Sequence, residues 1–497
     1  MDLQTEREIK FEVEPGWALP DLSGVVPDDL VVEPVTVVHL VSEYYDTADR
    51  ALLARGITLR RRSGESDNGW HLKVPADDDD TRTEHRVPLG TSTRVPKVLL
   101  DRVAGLTRGQ RVVKMVTMRT ERTVQRWTDA AGTTAVEVAD DVVTAVAPGA
   151  RAATLTAWRE VEVELGPDAD SDLLAGLGKK LRKAGAQRSG SANKVARAVG
   201  APSGERPVPK KPRALDVVLA YLDTQFEALV TGDLKLRAGD DDVHATRVGT
   251  RRFRSTLRVF GDLFDTDAVR HLDEELRWYA GLLGEVRDPA VQEERYLDML
   301  AELPEELVLG PVAAQIDAEL TGSRVRARAA LRAEMSSPRY FALLDVLSGF
   351  LSDPPATEAA RRKPKTLLPY LDRAAKKARK RLRRGLEAGN EAAGLDRAHL
   401  LHQARKAGKR ARYAAELLEP VLGKDSSAVI AASYTDLQDI LGDHQDIQVS
   451  TEVLRRLATA TASRPDQNGF TFGVLYQREV DKAAGLEDAA GRWLIGM

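Results

Sequence analysis

The hydrophobic period of this chain changes once, from two to about 3.6, and a proline-rich stretch marks the change. Residues 201–213, Ala-Pro-Ser-Gly-Glu-Arg-Pro-Val-Pro-Lys-Lys-Pro-Arg, carry four prolines in thirteen positions and cannot be helix interior. Before them lie short alternating segments such as Glu6-Arg-Glu-Ile-Lys10-Phe-Glu12-Val, Ile57-Thr-Leu-Arg60-Arg-Arg62, Trp70-His-Leu-Lys73-Val and Val161-Glu162-Val-Glu164-Leu. Alternation with turn residues between segments predicts antiparallel strands, interrupted by helices near Val95–Gly105 and Asp170–Ala184. After the prolines, long Ala/Leu/Arg/Glu segments predict helices almost to the end. One sheet cannot continue through such a change. The expectation is an α+β chain, with residues 1–200 a domain of antiparallel strands, 201–213 a linker and 214–490 an all-α domain.

Composition sets limits on chemistry. Charged residues make up 30% of the 497 and hydrophobic ones 42%, as in a soluble globular protein. No stretch is apolar enough to predict a membrane span, and the first residues lack the core of a signal peptide, which predicts a cytoplasmic location. The absence of cysteine excludes disulfides, thiolate metal sites and cysteine nucleophiles. The net charge of −3 hides strong segregation. Residues 361–384 hold twelve Lys/Arg and one acid, whereas Asp77–Asp80 is an acidic run that reads as a hairpin tip.

In a strand, residues i, i+2 and i+4 share a face, so Glu6, Glu8, Lys10 and Glu12 form one charged row opposite Ile9, Phe11 and Val13. Arg60 pairs with Arg62 in the same way, and Glu160, Glu162 and Glu164 form a third row. A single such row is more often a solvent face. Acids on some strands and bases on others instead suit a closed barrel with a charged lumen. Carboxylates at that density would hold Mg²⁺ or Mn²⁺, and facing Arg and Lys would hold phosphate oxygens.

Glu6-x-Glu8-x-Lys10 resembles the ExExK signature of the CYTH family, the triphosphate tunnel metalloenzymes. The resemblance continues through Tyr44-Tyr45-Asp46-Thr47, Leu59-Arg60-x-Arg62, Leu72-Lys73, Arg82-x-Glu84, Arg119-Thr-Glu-Arg122, Glu137-Val-Ala-Asp140-Asp141, Glu162-x-Glu164 and Ser191-Ala-Asn-Lys194, over about the first 200 residues. It implies an eight-stranded tunnel that binds a triphosphate with a divalent metal and hydrolyses it. The implied catalytic set is Glu6, Glu8, Lys10, Glu162 and Glu164. Implied metal ligands are Glu6, Glu8, Glu137, Asp140, Glu162 and Glu164, and implied phosphate contacts are Lys10, Arg60, Arg62, Lys73, Arg119, Arg122 and Lys194. Arg86 stands where a further acid is expected, and Arg119 cannot share a regular strand face with Arg122.

The helical half writes one phrase twice, 158 residues apart: His244-x-x-Arg247-x-x-x-Arg251-Arg252-x-Arg254 and His402-x-x-Arg405-Lys406-x-x-Lys409-Arg410-x-Arg412. Each copy is followed at the same offset by a Leu-Gly and an Asp: Leu283-Gly284 with Asp288, then Leu441-Gly442 with Asp446. The offset predicts two tandem helical bundles, about 214–352 and 364–490. His244, Arg247, Arg251, Arg254 and Arg258 fall on one helical stripe; in the second copy Glu416 replaces the last cation. Such stripes grip polyanions or are neutralised by acids such as Asp288 and Asp446. The basic run 361–384 could equally suit nucleic acid, but it has few aromatics for base stacking and no recognisable reader motif.

This half resembles the CHAD domain, an α-helical module, over about 212–490. The resemblance implies binding of inorganic polyphosphate in a basic channel through His244, Arg247, Arg251, Arg252, Arg254, His402, Arg405, Lys409, Arg410 and Arg412. Lys376 and Lys380 in the basic run are supporting candidates from charge alone. The combined expectation is a metal-dependent triphosphatase of inorganic triphosphate or short polyphosphate joined to a polyphosphate-binding module, located in the cytoplasm or at polyphosphate granules. A nucleotide cyclase, an organic or thiamine triphosphatase, and a non-catalytic polyphosphate scaffold are the alternatives.

Overall fold

The computed structural model describes residues 2–65, 67–75, 81–149, 152–167, 169–191, 193–200, 206, 209–240, 242–388, 394–462 and 468–496, with only the backbone at 2–6, 171, 394–396 and 462. The Asp77–Asp80 run and most of the proline-rich linker lie outside these residues. The chain divides into two compact units, residues 1–206 and 207–497. Among the described residues no helix is long and apolar enough to cross a membrane.

The first unit is built on strands β1 (Asp2–Glu12), β2 (Val31–Val32), β3 (Thr36–Asp46), β4 (Thr58–Gly64), β5 (Gly69–Pro75), β6 (Thr81–Val87), β7 (Val113–Thr128), β8 (Thr134–Ala147), β9 (Thr154–Leu165) and β10 (Gln187–Arg188). The order β1-β6-β5-β4-β3-β7-β8-β9 closes on itself because β9 pairs back to β1, so eight strands form a barrel without a free edge. β2 and β10 add short pairings to β7 and β1. All pairings in this sheet are antiparallel.

Alternation decides what faces in. Ile9, Phe11, Val136, Val138, Val161 and Val163 form an outer apolar face that is covered by Leu174, Leu177 and Leu181 of one helix. The first unit's helices are α1 (Lys97–Arg102), α2 (Ala104–Thr107), α3 (Ser171–Lys183) and α4 (Lys194–Val199). It is α3 that covers this face, and Gly178 lets it approach: a Cβ there would meet Ile9 Cδ1 at 2.9 Å. The alternate residues, the charged ones, are thereby turned into the lumen. One end of the lumen is filled by Tyr44, Val116, Met118, Val143, Ala145 and Trp158, sealed by Val195 and Ala196 of α4. The barrel is therefore a blind tube.

The second unit contains α5 (Ala214–Ala238), α6 (His244–Phe260), α7 (Thr266–Ala301), α8 (Val312–Glu334), α9 (Pro338–Ser352), α10 (Leu368–Glu387), α11 (Gly394–Leu417), α12 (Glu419–Leu422), α13 (Lys424–Ala462) and α14 (Phe470–Ile495). The repeat extends to whole helices. α7 and α13 begin 158 residues apart, and so do α8 and α14. α10, α11, α13 and α14 share the core of Leu382, Leu401, Ala404, Leu437, Leu441 and Ala490. The far ends of α7, α8, α13 and α14 are joined by a second core around Tyr296, Ile316, Leu454 and Phe472, so the two repeats are packed into one body.

Candidate functional site

The barrel lumen holds a cavity of about 480 Å³ with acids on one wall and bases on the other. Glu8, Glu137, Glu162 and Glu164 line it from β1, β8 and β9; Arg60, Arg62, Lys73, Arg86 and Arg122 line it from β4, β5, β6 and β7. Strand register explains the grouping. Glu164 lies opposite both Glu8 and Glu137, and Glu162 lies opposite Lys10, so adjacent strands place these side chains in one belt.

Lys10 Nζ lies 3.1 Å from Glu8 and 2.9 Å from Glu162. Burial pushes the Glu8 carboxyl up, but Lys10, Lys73 and Arg82 outweigh it and hold it at about 2. Glu162 is also held well below the usual carboxylate range, because Lys10, Lys194 and Arg122 together overcome its burial. Arg122 donates to both oxygens of Asp141 at 2.8 and 2.7 Å and to Glu162 at 2.7 Å. Deeper in the tube, Asp141, Glu160 and Glu162 bring three carboxylates within 4.8 Å of one another, the spacing of a cation cage. Lys194 Nζ stands among them, 2.9, 2.5 and 2.7 Å from the three. These all-oxygen donors fit a hard divalent cation such as Mg²⁺ or Mn²⁺. Both donor sets already meet cations: the inner cage holds Lys194, while in the outer belt Glu8 meets Lys10 at 3.1 Å and Arg82 at 3.2 Å, and Glu137 meets Arg126 at 2.7 Å.

The basic wall is itself neutralised. Asp67, on the β4–β5 hairpin at φ 54°, reaches in to accept from Arg62 at 2.7 Å and Arg86 at 2.6 Å, with Arg60 at 3.6 Å. Fully buried Glu84 receives His71 at 3.1 Å and contacts Arg86, Arg60 and Lys73. Its carboxyl is held far below its ordinary value because His71, Lys73 and Arg60 outweigh burial. Arg62 moves the other way: burial, then Arg60 and Arg122, push its guanidinium down to about 10.

Not every expected residue faces the lumen. The Glu6 side chain lies outside the described residues. Arg119 is exposed on the outer face, one residue out of phase with the lumen face that carries Arg122. Asp140 also points outward, where it is paired at 2.6 Å with Arg159; the inward acid of that pair is Asp141. Lys10, Arg60, Arg62, Lys73, Arg122, Lys194, Glu8, Glu137, Glu162 and Glu164 all come together. Asp67, Glu84, His71, Asp141 and Glu160 join them without having been singled out as site residues. Parity already placed Asp141 with Glu137 and His71 with Lys73, whereas the loop residue Asp67 has no period to announce it.

In the helical unit, α6 and α11 face each other. Arg251 donates to the Tyr413 hydroxyl at 2.9 Å, and Arg252 lies 3.0 Å from Glu416. Arg247, Arg251, Arg405 and Lys409 form a central cluster, two cations from each copy of the phrase. Burial, then Arg251, Arg405 and Arg247, push the Lys409 amine down to about 6. Burial, then Lys406 and Arg405, push the His402 imidazole down to about 4, so it is neutral near pH 7. His244 is exposed at the start of α6. The conserved offset of the Asp has a physical use: Arg247 pairs with Asp288 at 2.8 Å and Arg405 with Asp446 at 4.0 Å, the same relation in both copies. The glycine before it makes room, since a Cβ at Gly442 would lie 3.0 Å from Arg405 Nη2. Arg254 pairs with Asp273 at 3.2 Å and Arg412 with Glu416 at 2.8 Å. Lys376 and Lys380 are exposed on α10. It is Lys377 and Arg381, on another side of that helix, that face Arg410.

Comparison with known proteins agrees with both halves. The CYTH domain matches residues 4–199 and the CHAD domain residues 220–455. An uncharacterized protein of Mycobacterium tuberculosis is 37% identical over 496 residues, covering 96% of this chain and 93% of its own length. Among solved structures, PptA from Streptomyces chartreusis is 24% identical, with 56% of this chain and 100% of that one covered and a TM-score of 0.48. The CHAD domain from the plant Ricinus communis is 20% identical, with 59% and 95% covered and a TM-score of 0.46. The chain belongs to the family in which a CYTH domain is followed by a CHAD domain.

Proposed function

We propose that the barrel hydrolyses inorganic triphosphate or short polyphosphate with Mg²⁺ or Mn²⁺, and that the helical unit holds inorganic polyphosphate. The observation that carries the first part is the lumen itself: a belt of carboxylates faces Arg60, Arg62, Lys73 and Arg122 across one cavity of about 480 Å³. Glu8, Glu137 and Glu164 would hold the metal, which when bound neutralises phosphate oxygens and lowers the pKa of water. The arginines and Lys73 bind phosphate oxygens and orient the terminal phosphorus toward the acids. Water adds to that phosphorus, its anhydride P–O bond breaks, and the leaving phosphate keeps the bridging oxygen. Lys10, Arg122 and Lys194 remain charged throughout, because neighbouring carboxylates hold each of their protons on.

Phosphate release from tripolyphosphate, measured beside ATP and thiamine triphosphate, tests this reading. Release is expected to require divalent metal and to fall by about two orders of magnitude in Glu8→Gln plus Glu164→Gln, the scale of losing preorganised charge stabilisation. Metal-independent release, or full activity in the double variant, would refute it. For the helical unit the supporting observation is the central cluster of Arg247, Arg251, Arg405 and Lys409, two cations from each copy of the phrase, where burial and then mutual repulsion push Lys409 and Arg405 down. Replacing Arg247, Arg251, Arg405 and Lys409 by alanine is expected to abolish polyphosphate retention. Equal competition by double-stranded DNA of the same phosphate content would mark a general polyanion binder instead.

A further inference from the structure

The 158-residue offset relates α5, α6, α7 and α8 to α10, α11, α13 and α14, and it exchanges the two sides of the central cluster. Those sides are chemically unlike. On one, Arg254 and Arg258 of α6 meet Lys406 and Arg410 of α11, and Lys377 and Arg381 of α10 continue the row. Asp273 is the acid that answers them, taking Arg258 at 2.6 Å and Arg254 at 3.2 Å. Repulsion survives this pairing: burial, then Arg258 and Arg381, push Arg410 down to about 10. The offset maps the same positions on the other side to Arg412, Glu416, Val248 and Arg252, with Leu219 and Asp223 of α5 in place of the α10 cations. There Glu416 takes Arg412 at 2.8 Å and Arg252 at 3.0 Å and accepts the Tyr221 hydroxyl at 3.2 Å. That side is closed by its own acid and by buried Leu219.

We propose that polyphosphate leaves the central cluster in one direction only, along Arg254, Arg258, Lys406 and Arg410 to Lys377 and Arg381, and that Glu416 stops it on the opposite side. This rests on the helical unit being a polyphosphate holder and adds a polarity to it. Asp273 also holds two guanidinium groups, so the sides differ in net charge: six cations answered by one acid on the α10 side, against Arg252 and Arg412 answered by Glu416 and Asp223 on the other, which has no surplus to offer a phosphate. The site therefore takes a chain by one terminus, and affinity grows with chain length only while the α10 side is being filled.

The test uses the full chain with short and long fractions of inorganic polyphosphate. Lys377 and Lys406 are exposed, so Lys377→Ala plus Lys406→Ala keeps the core intact. The double variant is expected to weaken long-chain binding about tenfold, an effect of about 1.4 kcal/mol. Its slope of log affinity against log salt becomes shallower by about one to two, as cations that displace counterions are lost. Short-chain binding changes far less. Glu416→Gln, with folding checked by its melting curve, is expected to tighten long-chain binding and to extend the length over which affinity grows. Equal losses for short and long chains, a loss in Arg252→Ala plus Arg412→Ala as large as on the α10 side, or weaker long-chain binding in Glu416→Gln overturns the polarity while leaving the holder reading intact. Failure of the unaltered protein to bind either fraction overturns both.

Discussion

The two units handle buried charge in opposite ways. In the barrel nearly every lumen cation touches a carboxylate, so Lys10 and Lys194 bind their protons more firmly than usual and Glu8 releases its proton near pH 2. In the helical unit cations crowd against cations, and Lys409 gives up its proton near pH 6. The first arrangement is self-neutralised: it fixes side chains in place, and a ligand must compete with internal partners. The second keeps a net repulsion among its cations, despite Asp288, Asp446, Asp273 and Glu416, that an arriving polyanion would relieve. One site is organised before its ligand comes, the other is completed by it.

The comparison is most exposed at Lys194. Removing it in Lys194→Ala leaves Asp141, Glu160 and Glu162 without their shared cation and is expected to cost the barrel about 3–5 kcal/mol in urea unfolding. Millimolar Mg²⁺ should recover part of that loss if the cage accepts a metal in the lysine's place. An unchanged unfolding midpoint would show that the acids are not charged, contrary to the self-neutralised picture. Acid has a milder version of the same effect. Glu8 titrates near 2 folded against 4.5 ordinarily, so its contribution is complete above pH 4.5 and is lost as pH falls toward 2.

Proton uptake separates the units next. Free Lys409 is largely neutral at pH 7.5, while Lys409 beside bound phosphate returns toward its ordinary value. Polyphosphate binding should therefore take up about one proton, and affinity should fall by up to about tenfold per pH unit above pH 6. Calorimetry in buffers of different protonation enthalpy measures this, and Lys409→Arg should abolish it. The smallest expected effect is Asp67→Asn. Freeing Arg62 and Arg86 from an internal carboxylate should tighten tripolyphosphate binding about fivefold, near 1 kcal/mol. Weaker binding in that variant would mean that Asp67 prepares the arginines rather than competing for them.

Much of this was legible because the barrel obeys period two so strictly. Glu8 with Lys10, Arg60 with Arg62, and Glu162 with Glu164 could be placed on shared faces before any fold was known. Alternation does not say which face is inside when both carry charge, and so Asp140 stood in for Asp141. It was the packing of α3 on Ile9, Phe11 and the valines that settled inside from outside, and that contact spans distant parts of the chain. Helical period is less decisive. Arg405 and Lys406 are neighbours in one phrase, yet one turns to the central cluster and the other to Arg254 and Arg258. The residues that close a side, Glu416 and Tyr221, lie 195 positions apart and meet only through tertiary packing.

The apolar seal of Trp158, Met118 and Val195 has a kinetic consequence. With the inner end filled, arrival and departure share one doorway. If the barrel hydrolyses triphosphate as proposed, orthophosphate released beside the carboxylate belt would have to back out past the arginines before the next molecule could enter, and it carries the charge they favour. Turnover in such a vessel is set by emptying as well as by bond cleavage, and product accumulating outside should slow it competitively.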